Sequence, residues 1–307
     1  MRYAIRLIEL SLLAAFLVVA GLSSSQAADD ENGQGWMPFK ESNGHIAFDV
    51  RVNGQAASAI FDTGADASVI SEGLARRAEI NLNRGDSIRL VGIHGQGTIP
   101  TSRRFTLEMA GQEVELDRVP VAPAPGFDVV FGRPMAESSV VQIDYPNQRI
   151  RFIRRDAVEF EGNVELRNTR RGAPMVRARI LDADLWMLLD TGNAGPTVLK
   201  RKVVRHRDLE QFEVQGVTGN ATGAFTTAEL HLLQIPGFKL GPYEFDSLLA
   251  SYNAESNDGF DGQESRTGSR LNSDRSPYDG ILGYEVLRNF MVTMDLKDKQ
   301  VQIRVAD

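Results

Sequence analysis

Apolar and polar residues alternate with a period of two through much of this chain, in short runs broken by Gly, Asn, Asp and Pro. That period belongs to half-buried β-strands. Residues 46–52 and 56–61 flank Asn53-Gly54, a dipeptide suited to the two left-handed positions of a tight turn, and predict a β-hairpin. Ser71 is placed to cap a short helix over residues 72–78. Residues 88–93 and 98–109 flank a glycine-rich tip at 92–97 and predict a second hairpin. Apolar runs at 114–121 and 129–131 follow, then a turn of helix from Pro134. Strands at 140–144 and 149–153, joined through Tyr145-Pro146-Asn147-Gln148, are expected to close a first lobe. The same order then recurs, with strands at 175–181 and 185–189, a glycine-rich tip at 216–222, and strands at 243–250, 281–282, 290–295 and 301–305. Short strands, glycine-rich turns and little helix indicate an all-β fold.

The recurrence is visible residue by residue. Asp62-Thr63-Gly64 falls on Asp190-Thr191-Gly192 at a shift of 128, each behind a hydrophobic run. Gly92-Ile93-His94-Gly95 falls on Gly216-Val217-Thr218-Gly219, and Phe127-Asp128-Val129-Val130-Phe131-Gly132 on Tyr278-Asp279-Gly280-Ile281-Leu282-Gly283. An internal repeat of this length predicts two similar lobes. The expected organisation is a first lobe over 44–155, a linker over 156–168, and a second lobe over 169–307 carrying a mobile insertion at about 252–277.

Two aspartates that meet where the lobes join can activate water. Repulsion and desolvation keep two adjacent carboxyls from ionising together, so they share a proton. The ionised member takes a proton from water while the other donates to a scissile carbonyl. Asp62 and Asp190 are the candidate catalytic pair; which one holds the proton stays open, because such a pair titrates as a unit. Gly64 and Gly192 allow tight turns beneath the acids, and Thr63 and Thr191 can offer hydroxyls across the junction. A single Asp-Thr-Gly would read as an ordinary Asx turn; two copies in register favour the catalytic reading. The four histidines show no metal-ligand spacing, so neither metal nor cofactor is expected.

Phe61-Asp62-Thr63-Gly64-Ala65-Asp66-Ala67-Ser68-Val69-Ile70 resembles the active-site segment of retroviral proteases, and Val130-Phe131-Gly132-Arg133 resembles that family's second signature. Tyr278-Asp279-Gly280-Ile281-Leu282-Gly283 is closer to the pepsin-like form. The resemblance, to the retropepsin-like branch of the aspartic proteases, covers residues 44–305. It implies two β-barrel lobes related by a pseudo-two-fold axis, with the active site at their junction. It further implies an aspartic endopeptidase acting on a polypeptide. Gly92, Ile93, His94 and Gly95, with Gly216, Val217, Thr218 and Gly219, would then be flaps over the cleft, and Asp66 with Arg133 a structural ion pair. The second lobe departs from the pattern: Asn193 stands for Ala65, its loop is one residue longer, and Tyr284 stands for Arg133. A non-catalytic peptide-binding protein that keeps the fold is the alternative. Both half-sites lie in one chain, so a monomer is expected.

Composition adds a location. Arg2 and Arg6 precede an apolar run at 11–21, and Ser25-Gln26-Ala27 ends it with small residues, which predicts a signal peptide over residues 1–27. The run is short for a bilayer span, so no stable membrane insertion is expected after cleavage. Residues 28–43 read as a flexible lead-in. The chain has no cysteine, which excludes disulfides, thiol catalysis and a lipoprotein anchor, and an exported chain of this kind suits a bacterial periplasm or secretion. The net charge of −7 argues against nucleic-acid binding.

Overall fold

The computed structural model describes residues 35–42, 44–92, 95–123, 127–170, 172–222, 227–254 and 278–305. It is mostly β, with two β lobes and a sheet shared between them. In the first lobe, His45–Val52 and Gln55–Phe61 pair antiparallel across Asn53 and Gly54, both at positive φ (48° and 78°). Alternation decides the facing: Val50 and Val52 are buried while Asp49 and Arg51 are exposed. Around this hairpin an eight-stranded sheet curls into a half-barrel, running from Val121–Ala122 through Val69–Ser71, Val129–Phe131 and the hairpin to Phe105–Met109 and Gln112–Leu116. The helix Glu72–Arg77 starts where expected, with the Ser71 hydroxyl accepting from the Leu74 N–H.

In the second lobe, Pro174–Ile180 pairs with both Ala183–Leu189 and Thr227–Leu240. That double pairing closes a six-stranded barrel with Gly280–Leu282, Thr197–Leu199 and Tyr243–Tyr252. The apolar interior is continuous through both lobes, from Phe48 stacked on Phe131 to Met187, Leu189 and Leu199.

Several expected elements differ. Strands Val140–Asp144 and Arg149–Ile153 do not close the first lobe. They form a five-stranded sheet with Met291–Asp295, Gln300–Arg304 and Met37–Pro38. The expected linker ends in a strand, Leu166–Asn168, on the edge of the second barrel. Residues 98–109 are two strands, Gly95–Ser102 and Phe105–Met109, separated at the solvent-exposed Arg103 and Arg104. The run at 114–121 is likewise split, into Gln112–Leu116 and Val121–Ala122. Residues 36–42, expected as part of a flexible lead-in, contain two short strands and the buried Phe39. The predicted signal peptide and nearly all of the predicted insertion (255–277) lie outside the described residues.

Candidate active site

Strand Gln55–Phe61 ends at Asp62, and strand Ala183–Leu189 ends at Asp190. Each has a parallel neighbour that fixes where it stops: the Asp62 N–H donates to the Phe131 carbonyl (2.9 Å), and the Asp190 N–H to the Leu282 carbonyl (3.0 Å). The chain then turns under each acid. Asp62 Oδ1 accepts from the Gly64 and Ala65 N–H groups (2.8 and 3.1 Å), and Asp190 Oδ1 accepts from the Gly192 N–H (2.9 Å).

The threonines join the two turns. The Thr63 hydroxyl donates to the Leu189 carbonyl (2.6 Å) and accepts from the Thr191 N–H (3.1 Å). The Thr191 hydroxyl donates to the Phe61 carbonyl (2.8 Å) and accepts from the Thr63 N–H (3.1 Å). Both threonines are buried, so all four bonds are shielded from water. Each carboxyl consequently reaches over the opposite glycine. A side chain at Gly64 would meet the Asp190 carboxylate oxygens at 2.6 and 2.8 Å, and one at Gly192 would meet both Asp62 oxygens at 2.6 Å. Only glycine permits that approach at either position.

The two acids are not equivalent. Asp190 is buried, whereas Asp62 is partly exposed. Burial holds the Asp190 carboxyl well above the usual carboxylate range, and the charge and hydrogen bond of Asp62 push it the same way. Of the two, Asp190 is the acid whose surroundings favour the protonated form.

Behind each acid an aspartate locks the supporting strands. Asp128 Oδ2 accepts from the Ser58 N–H (3.2 Å), and Asp279 Oδ2 accepts from the Trp186 N–H (3.0 Å). Asp66 and Arg133 are brought together, Oδ1 to Nη1 at 2.9 Å, and Arg133 Nε also donates to Glu137 (3.1 Å). Arg133 is buried and Asp66 exposed. In the second lobe the Asn193 carbonyl accepts from the Tyr284 N–H (2.9 Å), as the Ala65 carbonyl accepts from the Arg133 N–H (2.8 Å). Asn193 thus takes the backbone role of Ala65, and its side chain donates to the Pro196 carbonyl (3.2 Å), fastening the extra residue of its own loop.

The flap residues divide. Gly92 and Gly95 pair with each other at the end of the hairpin Leu82–Gly92 and Gly95–Ser102, while Ile93 and His94 lie outside the described residues. Gly216, Val217, Thr218 and Gly219 are not at a tip. They lie within strand Glu213–Thr222, at a bulge, and Thr222 opposite Thr227 is the pair farthest along the two strands. A bulge needs a local break in twist, which Gly216 at φ +74° supplies. Sequence reasoning also passed over His45. Its ring meets Phe127 edge-on at 4.8 Å; burial lowers its pKa, and the charge of Asp62 acts in the opposite sense. Standing alone at the start of a strand, it had no motif to mark it.

Residues 48–135 match the family described as gag-polyprotein putative aspartyl protease. The match contains Asp62, Thr63, Gly64, Asp66 and Arg133. No curated protein matches the chain.

Proposed function

We propose, from a chain whose residues 48–135 are a retropepsin-like aspartyl protease domain, that the protein is an exported aspartic endopeptidase with Asp62 and Asp190 as its catalytic pair. The two lobes act as related halves about a pseudo-two-fold axis, and an extended polypeptide lies across their junction. Asp62 takes a proton from water, which attacks the scissile carbonyl carbon. Asp190 gives its proton to the carbonyl oxygen, forming a neutral tetrahedral diol. As the diol collapses, Asp62 gives its proton to the leaving nitrogen and the C–N bond breaks, while one diol hydroxyl returns its proton to Asp190 and restores the pair.

The observation that carries this reading is the reciprocal threonine bonding. Four buried hydrogen bonds join the two Asp-Thr-Gly turns and hold each carboxyl against the opposite glycine. Two unrelated Asx turns have no reason to interlock in this way. A peptide-binding protein without activity would need no buried carboxyl whose surroundings oppose its ionisation.

The test is incubation of the purified protein with a diverse peptide library across pH, with and without a pepstatin-class inhibitor. Cleavage that is blocked by the inhibitor and lost in Asp62→Asn is expected. No cleavage at any pH would sink the enzyme reading. Export would be checked by finding the mature N-terminus near residue 28 in a cell-envelope or culture fraction.

A further inference from the structure

The two aspartate loops are braced by different chemistry. On the Asp62 side the brace is ionic, from buried Arg133 to Asp66 and Glu137. On the Asp190 side the corresponding positions are Ala194 and Tyr284, and no such ion pair is possible. What stands there comes from the start of the described chain. Gly44, at φ +81°, lies so close to Ala194 that a Cβ there would overlap the Ala194 carbonyl oxygen. Its N–H donates to Glu41 (2.7 Å), which fixes the turn. The Tyr284 ring packs edge-on against Tyr145 (6.0 Å), and Tyr145 edge-on against Phe39 (6.1 Å). The charge of Glu41 also reaches Tyr284, adding to the rise that burial gives its hydroxyl. Phe39 is buried and tied down by its N–H to the Gln148 carbonyl (2.9 Å). Just before it, Met37–Pro38 pairs with Ile150 and Arg149 on the edge of the shared sheet.

We infer that residues 36–42 and Gly44 are a built-in brace for the Asp190 loop, with Gly44 and Tyr284 as positioning residues in place of the ion pair that serves Asp62. The inference rests on the proposed reading of Asp62 and Asp190 as a catalytic pair. Gly44 pressed on the Ala194 carbonyl, and the edge-on aromatic contacts of Tyr284, fix the loop from two directions. A shift of about 1 Å in such a loop can lower turnover by about a hundredfold.

Four variants test this. Gly44→Ala must push the turn off Ala194. Gly111→Ala is its control, because Gly111 has a similar φ (+74°) with nothing near its missing side chain. It carries the same left-handed strain without the contact. Tyr284→Ala removes the edge-on ring contact, while Tyr284→Phe keeps it. Amide hydrogen exchange is read over residues 190–196 and 62–68, with kcat and KM on a cleaved peptide. Gly44→Ala and Tyr284→Ala are expected to speed exchange at 190–196 alone. They should lower kcat by about tenfold or more with KM within about threefold, while Gly111→Ala and Tyr284→Phe behave as the parent. Unchanged exchange at 190–196 in Tyr284→Ala, or equal exchange in Gly44→Ala and Gly111→Ala, would overturn the brace. Where Gly44→Ala does not fold, the Tyr284 pair decides alone. A parent protein without peptidase activity would sink the catalytic reading, and the exchange result would still judge the brace.

Discussion

At the scale of single residues, the unequal burial of Asp62 and Asp190 has consequences that pH can expose. The folded pKa of Asp190 lies above its unfolded value. This carboxyl therefore favours the fold fully at pH below about 3.9, and the contribution is lost as pH rises through the folded pKa. Asp190→Asn removes that penalty, so its Tm should exceed the parent's at neutral pH by about 2–4 °C for each kcal/mol recovered, with the gain vanishing in strong acid. A gain that persists unchanged at low pH would mean that the surroundings of Asp190 do not raise its pKa. The same variant should have no peptidase activity, and so should Asp62→Asn, because neither acid alone can be both base and donor. Activity of the parent should fall on the alkaline side as the pair loses its shared proton. The Asp66–Arg133 pair sets a second test. Asp66 is 59% exposed and Arg133 only 7%, so stranding Asp66 costs little, whereas losing Arg133 removes its bonds to Asp66 and Glu137 and buried packing. Arg133→Ala should cost about 2–3 kcal/mol and Asp66→Ala about 1 kcal/mol or less. A double-mutant cycle should return a coupling of about 0.5–1 kcal/mol; strict additivity in denaturant melts would show that the two do not interact in solution.

At the scale of elements, the hairpin that contains Gly216 is tied at its root by three side chains from three strands. The Glu213 carboxylate meets His231 Nδ1 (2.8 Å) and accepts from the Tyr252 hydroxyl (2.9 Å). His231, and then Tyr252, hold the Glu213 carboxyl below its usual range, while burial, and then Glu213, push the Tyr252 hydroxyl up to about 12. A carboxyl with a lowered folded pKa contributes stability above its unfolded pKa, and that contribution is lost as pH falls through the folded value. Glu213→Gln should therefore speed amide exchange in residues 218–222 at neutral pH, and the parent should approach the variant as the solution is acidified. Exchange that is identical at neutral pH would show that the contact does not hold the hairpin. This hairpin is also where sequence reading failed most. Strand Thr227–Leu240, 14 residues long, was not anticipated from the sequence; in the fold Pro236 lies opposite Ser247 and Gly237 takes φ +78° without ending the strand. Residues 46–61 were legible because one dipeptide, Asn53-Gly54, sets both the turn and the register. The two Asp-Thr-Gly turns were legible because the motif itself supplies their bonds. Gly44 and His45 were not, since their roles come from contacts with Ala194 and Phe127, far away in sequence.

At the scale of the molecule, the sheet between the lobes determines how the halves depend on each other. Val140–Asp144 pairs antiparallel with Met291–Asp295, and Gln142 Nε2 donates to Thr293 Oγ1 (3.0 Å) where the two strands cross-pair. Arg155 adds a tie, donating to buried Asp295 (2.8 Å) and to the Ser138 carbonyl (3.2 Å). The apolar interior continues through this sheet, so neither lobe can open its inner face without exposing the other's. Two outcomes follow. Unfolding by denaturant should be one transition, with matching midpoints for probes in either lobe, because the buried surface is shared rather than divided. Activity per molecule should also be independent of concentration. Both candidate acids are delivered by one chain, and the threonine bonds that pair them are within that chain. An enzyme assembled from two copies would instead lose activity steeply once diluted below its dissociation constant. Initial rates measured over a thousandfold range of protein, with far-UV circular dichroism as a check on folding, separate the cases. A specific rate that falls on dilution while the protein stays folded would mean that a second copy completes the site, and the single-chain pairing of Asp62 with Asp190 would have to be given up.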